Sequence, residues 1–352
     1  MAKTKGLCEI CSPKQWKTIS TDMLTDGGYP VYGANGVIGC YSEYNHEKPT
    51  LLITCRGATC GTLNICEPYS YVNGNAMALD NLTDEVDIKY LYYYLLNRGF
   101  EDVVTGSAQP QIVRQSLQKV NVTYPDKERQ AEIVTVLEKA SELIALRKKQ
   151  LAKLDQLVKS RFIEMFGDPV LNQHGWQKAA LEANATLLNG RAYKQDELLD
   201  SGKYPVLRVG NFFSNRGWYY SDLELDDDKY CDNGDLLYAW SASFGPQIWN
   251  GGKVIYHYHI WKVLVGEAYN KQFLCKLLEY ATESLMGDTH GIAMMHLTKS
   301  GMEKTEFIVP PIELQEQFAA FVEQTDKSKL AIQQSLDKLE TLKKSLMQEY
   351  FE

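Results

Sequence analysis

Cys8 and Cys11 stand in "CEIC" with the two-residue gap of half a zinc knuckle, and six of the eight cysteines fall within the first 66 residues. No second Cys pair or Cys/His pair answers them, so reduced, mostly buried thiols are expected rather than a metal centre. His257 and His259 in "YHYHIW" alternate as on a strand. They could ligate a metal, but such histidines more often belong to the surface or to a satisfied core. The chain has no "GxxxxGK[ST]", no "HExxH", no "GxSxG", no Gly-rich dinucleotide fingerprint and no "NPPY"-like tetrapeptide. Phosphate cradling, zinc hydrolysis, serine acylation and amino-methyl transfer therefore lack their usual residues. The chain reads as one without catalysis of its own.

The elements that position these residues belong to a two-domain chain. At 352 residues, 44% hydrophobic and 23% charged, the composition is that of an ordinary globular protein. No eighteen-residue apolar run and no signal-peptide pattern is present, and a cytoplasmic location is expected. The net charge of −8 disfavours a broad basic face. Residues 125–166 carry 9 basic and 7 acidic groups, and they alone have a basic surplus. Any nucleic-acid surface must be a local patch, or one shared with partners.

An internal repeat sets the architecture. "PDKERQAEIVTVLEKASELIALRKKQLAKLDQLVKSRFIEMF" (125–166) lies over "PPIELQEQFAAFVEQTDKSKLAIQQSLDKLETLKKSLMQEYF" (310–351) at an offset of 185, ungapped, with 12 of 42 positions identical. Gln130 meets Gln315, Glu138 meets Glu323 and Phe166 meets Phe351. Proline and acidic residues open each segment and neither contains an internal Gly or Pro, which predicts two long helices. Ile133, Leu137, Ile144, Leu151, Leu154 and Val158 in the first follow 4-3 spacing, interrupted by Arg147. Phe318, Val322, Ile332, Leu336, Leu339 and Leu346 do the same in the second, interrupted by Lys329 and Lys343. A seam repeating every 3.5 residues calls for a partner helix, and the two equivalent helices are expected to pack on each other.

The repeat extends upstream. "LLITCRGATCG" (51–61) aligns with "LLYAWSASFGP" (236–246) at the same offset, and "KVNVTY" and "KTEFIV" read as strands leading into each helix. The unit is a Gly-, Tyr- and strand-rich α+β domain followed by a helix, present twice. The expected boundaries are 1–124, 125–166, 167–309 and 310–352.

Two variable domains alternating with two similar helices, the junctions "PDKERQAEI" and "PPIELQEQF", and the passage "KSRFIEMFGDP" resemble the specificity (S) subunit of type I restriction-modification systems. The resemblance covers essentially the whole chain. It implies two target-recognition domains, each reading one half of a bipartite, asymmetric double-stranded DNA site. It also implies an antiparallel coiled coil that sets the spacer and docks two modification (methyltransferase) subunits, with restriction (translocase/nuclease) subunits completing a host-defence complex. S-adenosylmethionine, ATP and Mg would belong to those partners and no cofactor to this chain. The competing reading is a protein scaffold that holds partners at fixed separation without DNA.

Base reading needs Arg, Asn, Gln, Ser and Thr on loops that can enter the major groove. In the first domain Asn35, Arg56, Thr59, Gln109, Gln111 and Arg114 sit in Gly-containing loops and are the candidates. In the second they are Arg208, Asn211, Asn215, Arg216, Ser241, Ser243, His290 and Lys299. Each could also be an ordinary solvated loop residue.

Overall fold

The computed structural model describes residues 2–106, 109–214, 217–241, 243–287 and 298–352, without the side chains of 243 and 284–287. The chain divides into two units, one of residues 1–148 with 334–352 and one of residues 149–333.

In the first unit, β1 (Lys3–Gly6), α1 (Leu7–Ile10), β2 (Ser12–Gln15), β3 (Tyr29–Gly33), β4 (Gly36–Tyr41), β5 (Leu51–Thr54), β6 (Leu63–Ile65), β7 (Tyr71–Val72) and β8 (Ala76–Asp80) precede α2 (Ile88–Arg98) and β9 (Asn121–Tyr124). The strands form three sheets ordered β1-β9, β2-β8-β5-β6 and β4-β3-β7. Then α3 (Lys127–Phe166) begins, and it crosses into the second unit after Lys148.

The second unit contains β10 (Lys178–Ala180), β11 (Ala185–Asn189), β12 (Tyr204–Leu207), α4 (Val209–Phe213), β13 (Tyr219–Ser221), β14 (Tyr230–Cys231), β15 (Leu236–Ser241), β16 (Ser243–Ile248), β17 (Val254–Tyr256), β18 (Ile260–Val265), α5 (Lys271–Gly287), α6 (Lys299–Lys304) and β19 (Glu306–Ile308). Its sheets run β10-β19, β11-β18-β15-β16 and β13-β12-β17-β14. Apart from the added β14, strand for strand this is the order of the first unit. Even the parallel pairing recurs: β3 with β7 in the first, β12 with β17 in the second. The last helix, α7 (Ile312–Phe351), returns to the first unit at Gln334.

Local chemistry explains both long helices. Asp126 caps α3, its Oδ1 accepting from Arg129 N at 3.0 Å, and Pro310–Pro311 leads into α7. Gly167 at φ +77° ends α3, its N–H bonding to Ile163 O at 2.9 Å. Buried or half-buried positions recur along α3 at 130, 133, 137, 140, 144, 147, 151, 154 and 158, a 3-4 alternation, and Val134, Phe162 and Phe166 are buried beside it. Ile133, Leu137, Val158, Phe318, Val322 and Leu336 are buried; Ile144, Leu151, Leu154, Ile332, Leu339 and Leu346 are half-buried.

Each unit holds the start of one helix and the end of the other, so α3 and α7 run antiparallel. In the first unit Ile133, Val134 and Leu137 share a core with Met347 and Leu346. In the second, Phe162 and Phe166 pack on Phe318, with ring centroids 5.5 and 5.6 Å apart. The helix ends also make equivalent contacts. Phe166 meets Phe273 of α5 at 4.7 Å, and Phe351 meets Tyr90 of α2 at 5.5 Å. The interrupting cations have specific places: Lys329 pairs with Asp155 at 2.5 Å, and Lys343 sits 5.6 Å from the Tyr93 ring.

One buried amide recurs in both units. Gln130 is fully buried; its Nε2 donates to Glu85 O (2.9 Å) and Pro125 O (2.8 Å), and its Oε1 accepts from Asp87 N (2.7 Å). Gln315, also fully buried, donates to Ala268 O (3.0 Å) and Pro310 O (2.8 Å) and accepts from Asn270 N (2.9 Å). Asp87 and Asn270 are the residues that cap α2 and α5. Each glutamine therefore ties the first turn of a long helix to the first turn of its domain helix.

Replacing Gln130 by Ala strands one amide N–H and two carbonyls in the interior. Gln130→Ala is expected to destabilise the protein by about 2–3 kcal/mol in denaturant unfolding. A loss below about 0.5 kcal/mol would show that the clamp does not hold the helix in place.

Candidate nucleic-acid interface

The first unit brings three candidate loops together. Thr54 Oγ1 donates to Ala34 O, joining the end of β5 to the β3–β4 turn. Thr59 Oγ1 lies 2.7 Å from Asn35 Oδ1 and donates to it. Gly57 N donates to Pro110 O and Ile112 N to Cys55 O, both at 3.1 Å, and Arg56 faces Gln111 as a β-bridge partner. Asn35, Arg56, Thr59, Gln109 and Gln111 are all exposed. The Arg56 side chain makes no hydrogen bond or ion pair among the described residues. A cation and several amides thus project from one small region, with backbone hydrogen bonds holding the loops beneath them.

Gly106 makes that convergence possible. It sits at φ +85°, and a Cβ there would lie 2.5 Å from Gln109 O. Arg114 is placed elsewhere, on the wall of a groove of about 570 Å³ with Lys14, Trp16, His46 and Asp80. In that groove His46 Nε2 lies 2.9 Å from Asp80 Oδ1, and Trp16 Nε1 donates to Asp80 Oδ2 at 3.1 Å.

In the second unit Arg208 follows β12 and leads into α4, and its guanidinium lies 4.2 Å from the Tyr219 ring centroid. Asn211 Nδ2 donates to Gly217 O at 3.2 Å. Ser241, at the end of β15, takes the place that Arg56 has after β5, and Ser243 faces it across the hairpin. Lys299 lies apart, on α6, paired with Glu303 at 3.5 Å. Asn215, Arg216 and His290 lie outside the described residues, as does the side chain of Ser243.

His257 and His259 do not alternate along a strand. Residues 257–259 form the turn between β17 and β18, and His257, His259 and Arg208 line a cavity of about 270 Å³ with Val209 and Gly210. Sequence periodicity missed this because the strand stops at Tyr256, where Ile260 N turns back to His257 O at 2.9 Å. Five of the eight thiols are buried and three half-buried, and burial pushes Cys11 up to about 12 and Cys231 to about 12. Among the described residues no group of three or more His, Cys, Asp or Glu is placed to hold a metal ion.

The family model for the type I restriction modification DNA specificity domain matches residues 1–156 and again 173–343, one match per repeat. The chain belongs to that family. A protein of Haemophilus influenzae provisionally named a type I restriction enzyme specificity subunit is 21% identical over 354 residues, covering 94% of this chain and 91% of the relative. The MjaIX specificity subunit of Methanocaldococcus jannaschii is 24% identical, covering 78% of this chain and 70% of its own. Among solved structures, the S subunit of a type I system from M. genitalium matches with a TM-score of 0.65 at 16% identity, covering 100% of this chain and 96% of that one. A chain from a study of type I restriction-modification assembly matches at 0.57 with 13% identity, covering 99% and 97%. This chain is therefore a DNA-specificity subunit of the type I kind, and a non-catalytic one.

Burial, then the neighbouring His259, then Arg208 hold the His257 imidazole well below its ordinary range, at about 4. A depressed histidine is neutral in both states above its unfolded value near 6.5, so its stabilising contribution is fully present there. That contribution declines as pH falls from about 6.5 to about 4, where the folded form also protonates. His257→Asn is expected to flatten this part of the stability–pH curve. An NMR titration midpoint for His257 near 6.5 would contradict the burial.

Proposed function

We propose that each unit reads one half of a bipartite, asymmetric DNA target. In the first unit Asn35, Arg56, Thr59, Gln109 and Gln111 are the base-contacting group. In the second, Arg208, Asn211 and Ser241 face DNA, with Asn215, Arg216, Ser243 and His290 as further contacts. Arg114 and Lys299 lie apart from these groups and would touch backbone phosphates. The observation that carries this reading is the convergence of three exposed polar loops on Arg56, on a strand order that the second unit repeats with Ser241 at the equivalent position. Arginine presented on a rigid loop suits the O6/N7 edge of guanine, and the amides suit adenine.

The units 1–124 and 167–309 act as target-recognition domains on this reading. The helices 125–166 and 310–352 set the spacer and dock two modification subunits, with restriction subunits completing the assembly. Exposed Leu157 and Leu342, equivalent positions on α3 and α7, offer apolar contacts for such docking. S-adenosylmethionine, ATP and Mg enter with those partners, in the cytoplasm. No helix among the described residues is long and apolar enough to cross a membrane.

The test is to map methylated adenines in cells expressing this chain with its modification subunits. A two-part asymmetric motif is expected. Arg56→Ala should relax one position in one half, at about 1–3 kcal/mol of discrimination, and leave the other half unchanged. A continuous motif, or an equal loss of methylation at all sites in the variant, would overturn the reading.

A further inference from the structure

The turn between β17 and β18 has a counterpart in the first unit, and the two differ in chemistry while sharing a backbone. In the first unit Asn73 N bonds to Tyr32 O (2.9 Å), Ala76 N to Asn73 O (2.9 Å) and Cys55 N to Asn75 O (3.1 Å). In the second, His257 N bonds to Leu207 O (2.9 Å), Ile260 N to His257 O (2.9 Å) and Trp240 N to His259 O (3.0 Å). Asn73-Gly74-Asn75 therefore corresponds to His257-Tyr258-His259.

In the first unit the first two residues of the turn are sealed, and Asn75 is exposed. Asn73 is 3% exposed and donates to Ile19 O at 3.1 Å, and a Cβ on Gly74 would collide with Thr18 and with Trp16 O. The backbone thus needs nothing larger than Asn-Gly-Asn, so folding alone does not call for His-Tyr-His. In the second unit Tyr258 stays 39% exposed, and Trp240 Nε1 donates to Tyr258 O at 2.8 Å. The Trp240 ring lies 5.1 Å from His259 and 6.0 Å from Tyr258. This is a braced, protruding aromatic turn. Beside it, Arg208 Nε is buried with no hydrogen-bond partner among the described residues, on the wall of the cavity that His257 and His259 share.

We propose that Arg208 and the His257-Tyr258-His259 turn form the base-reading element of the second unit, accepting a G·C pair of duplex DNA. The inference rests on the DNA-reading assignment above and specifies the ligand of that site. Tyr219 beneath the guanidinium and Gly217 O, which accepts from Arg208 Nη2 at 3.4 Å, hold the planar fork in place, which favours a two-acceptor edge such as guanine O6/N7 over a point contact. The depressed His257 stays neutral, and its Nδ1 accepts from His259 N at 3.5 Å, which leaves Nε2–H as the donor the ring can present.

The experiment selects a randomised duplex library with the full chain bound to its modification subunits. It compares wild type, the triple variant H257N/Y258G/H259N and R208K. The triple variant takes the residues that the same backbone carries in the first unit, and a thermal melt checks its fold. Wild type is expected to enrich a two-part motif with guanine in one half. In the triple variant and in R208K, discrimination at one or two positions of that half should fall about tenfold or more, with the other half intact. An unchanged motif in both variants would overturn the proposal. A uniform loss across all sequences would also overturn it, because it marks a phosphate contact. Failure of the wild type to enrich any sequence would overturn the DNA-reading assignment itself, and this proposal with it.

Discussion

The fold depends on keeping a buried amide satisfied at the base of each long helix. Gln130 and Gln315 each have two donors and one acceptor occupied, out of water, between the incoming strand and the cap of a domain helix. A partly satisfied buried polar group is costly, so the arrangement tolerates little variation in angle. Each long helix consequently leaves its domain in a fixed direction, and the aromatic contacts of Phe166 and Phe351 secure the far ends.

On that frame the two units vary what they present. At equivalent positions on the β5 and β15 side of the sheets, one unit offers Arg56 just beyond its strand and the other Ser241 as the last residue of its strand. β3 leads into a tight turn carrying Asn35, whereas β12 leads into α4 behind Arg208. The core strands keep their order while the loops at their ends differ. That is the division expected when packing sets the scaffold and exposed residues set specificity.

Much of this was legible in the residues. The offset of 185 located both helices, the alignment of Cys55 with Trp240 and the identity of Gln130 with Gln315. The role of those glutamines was not legible, because their partners are backbone groups of Glu85 and Ala268, remote in sequence and without side-chain signal. The convergence on Arg56 also could not be read, since Gln111 and Asn35 reach it only through tertiary bonds. The His257–His259 turn was hidden for another reason: a period-2 pattern does not reveal where a strand stops. The partner assigned to Lys329, Asp155, likewise depends on helix register, which periodicity alone does not supply.

The first unit is assembled from residues 1–148 and 334–352. During synthesis, the segment carrying Met347, Tyr350 and Phe351 leaves the ribosome only after all of residues 149–333. Until then Ile133, Val134 and Leu137 lack the apolar cover that segment supplies. The earliest-made domain is therefore the last to be finished, and its nascent form carries an open hydrophobic seam for the whole of that interval. A premature stop after Gln333 would injure the unit encoded first, and the lesion would surface in the half of the protein farthest from it in the gene.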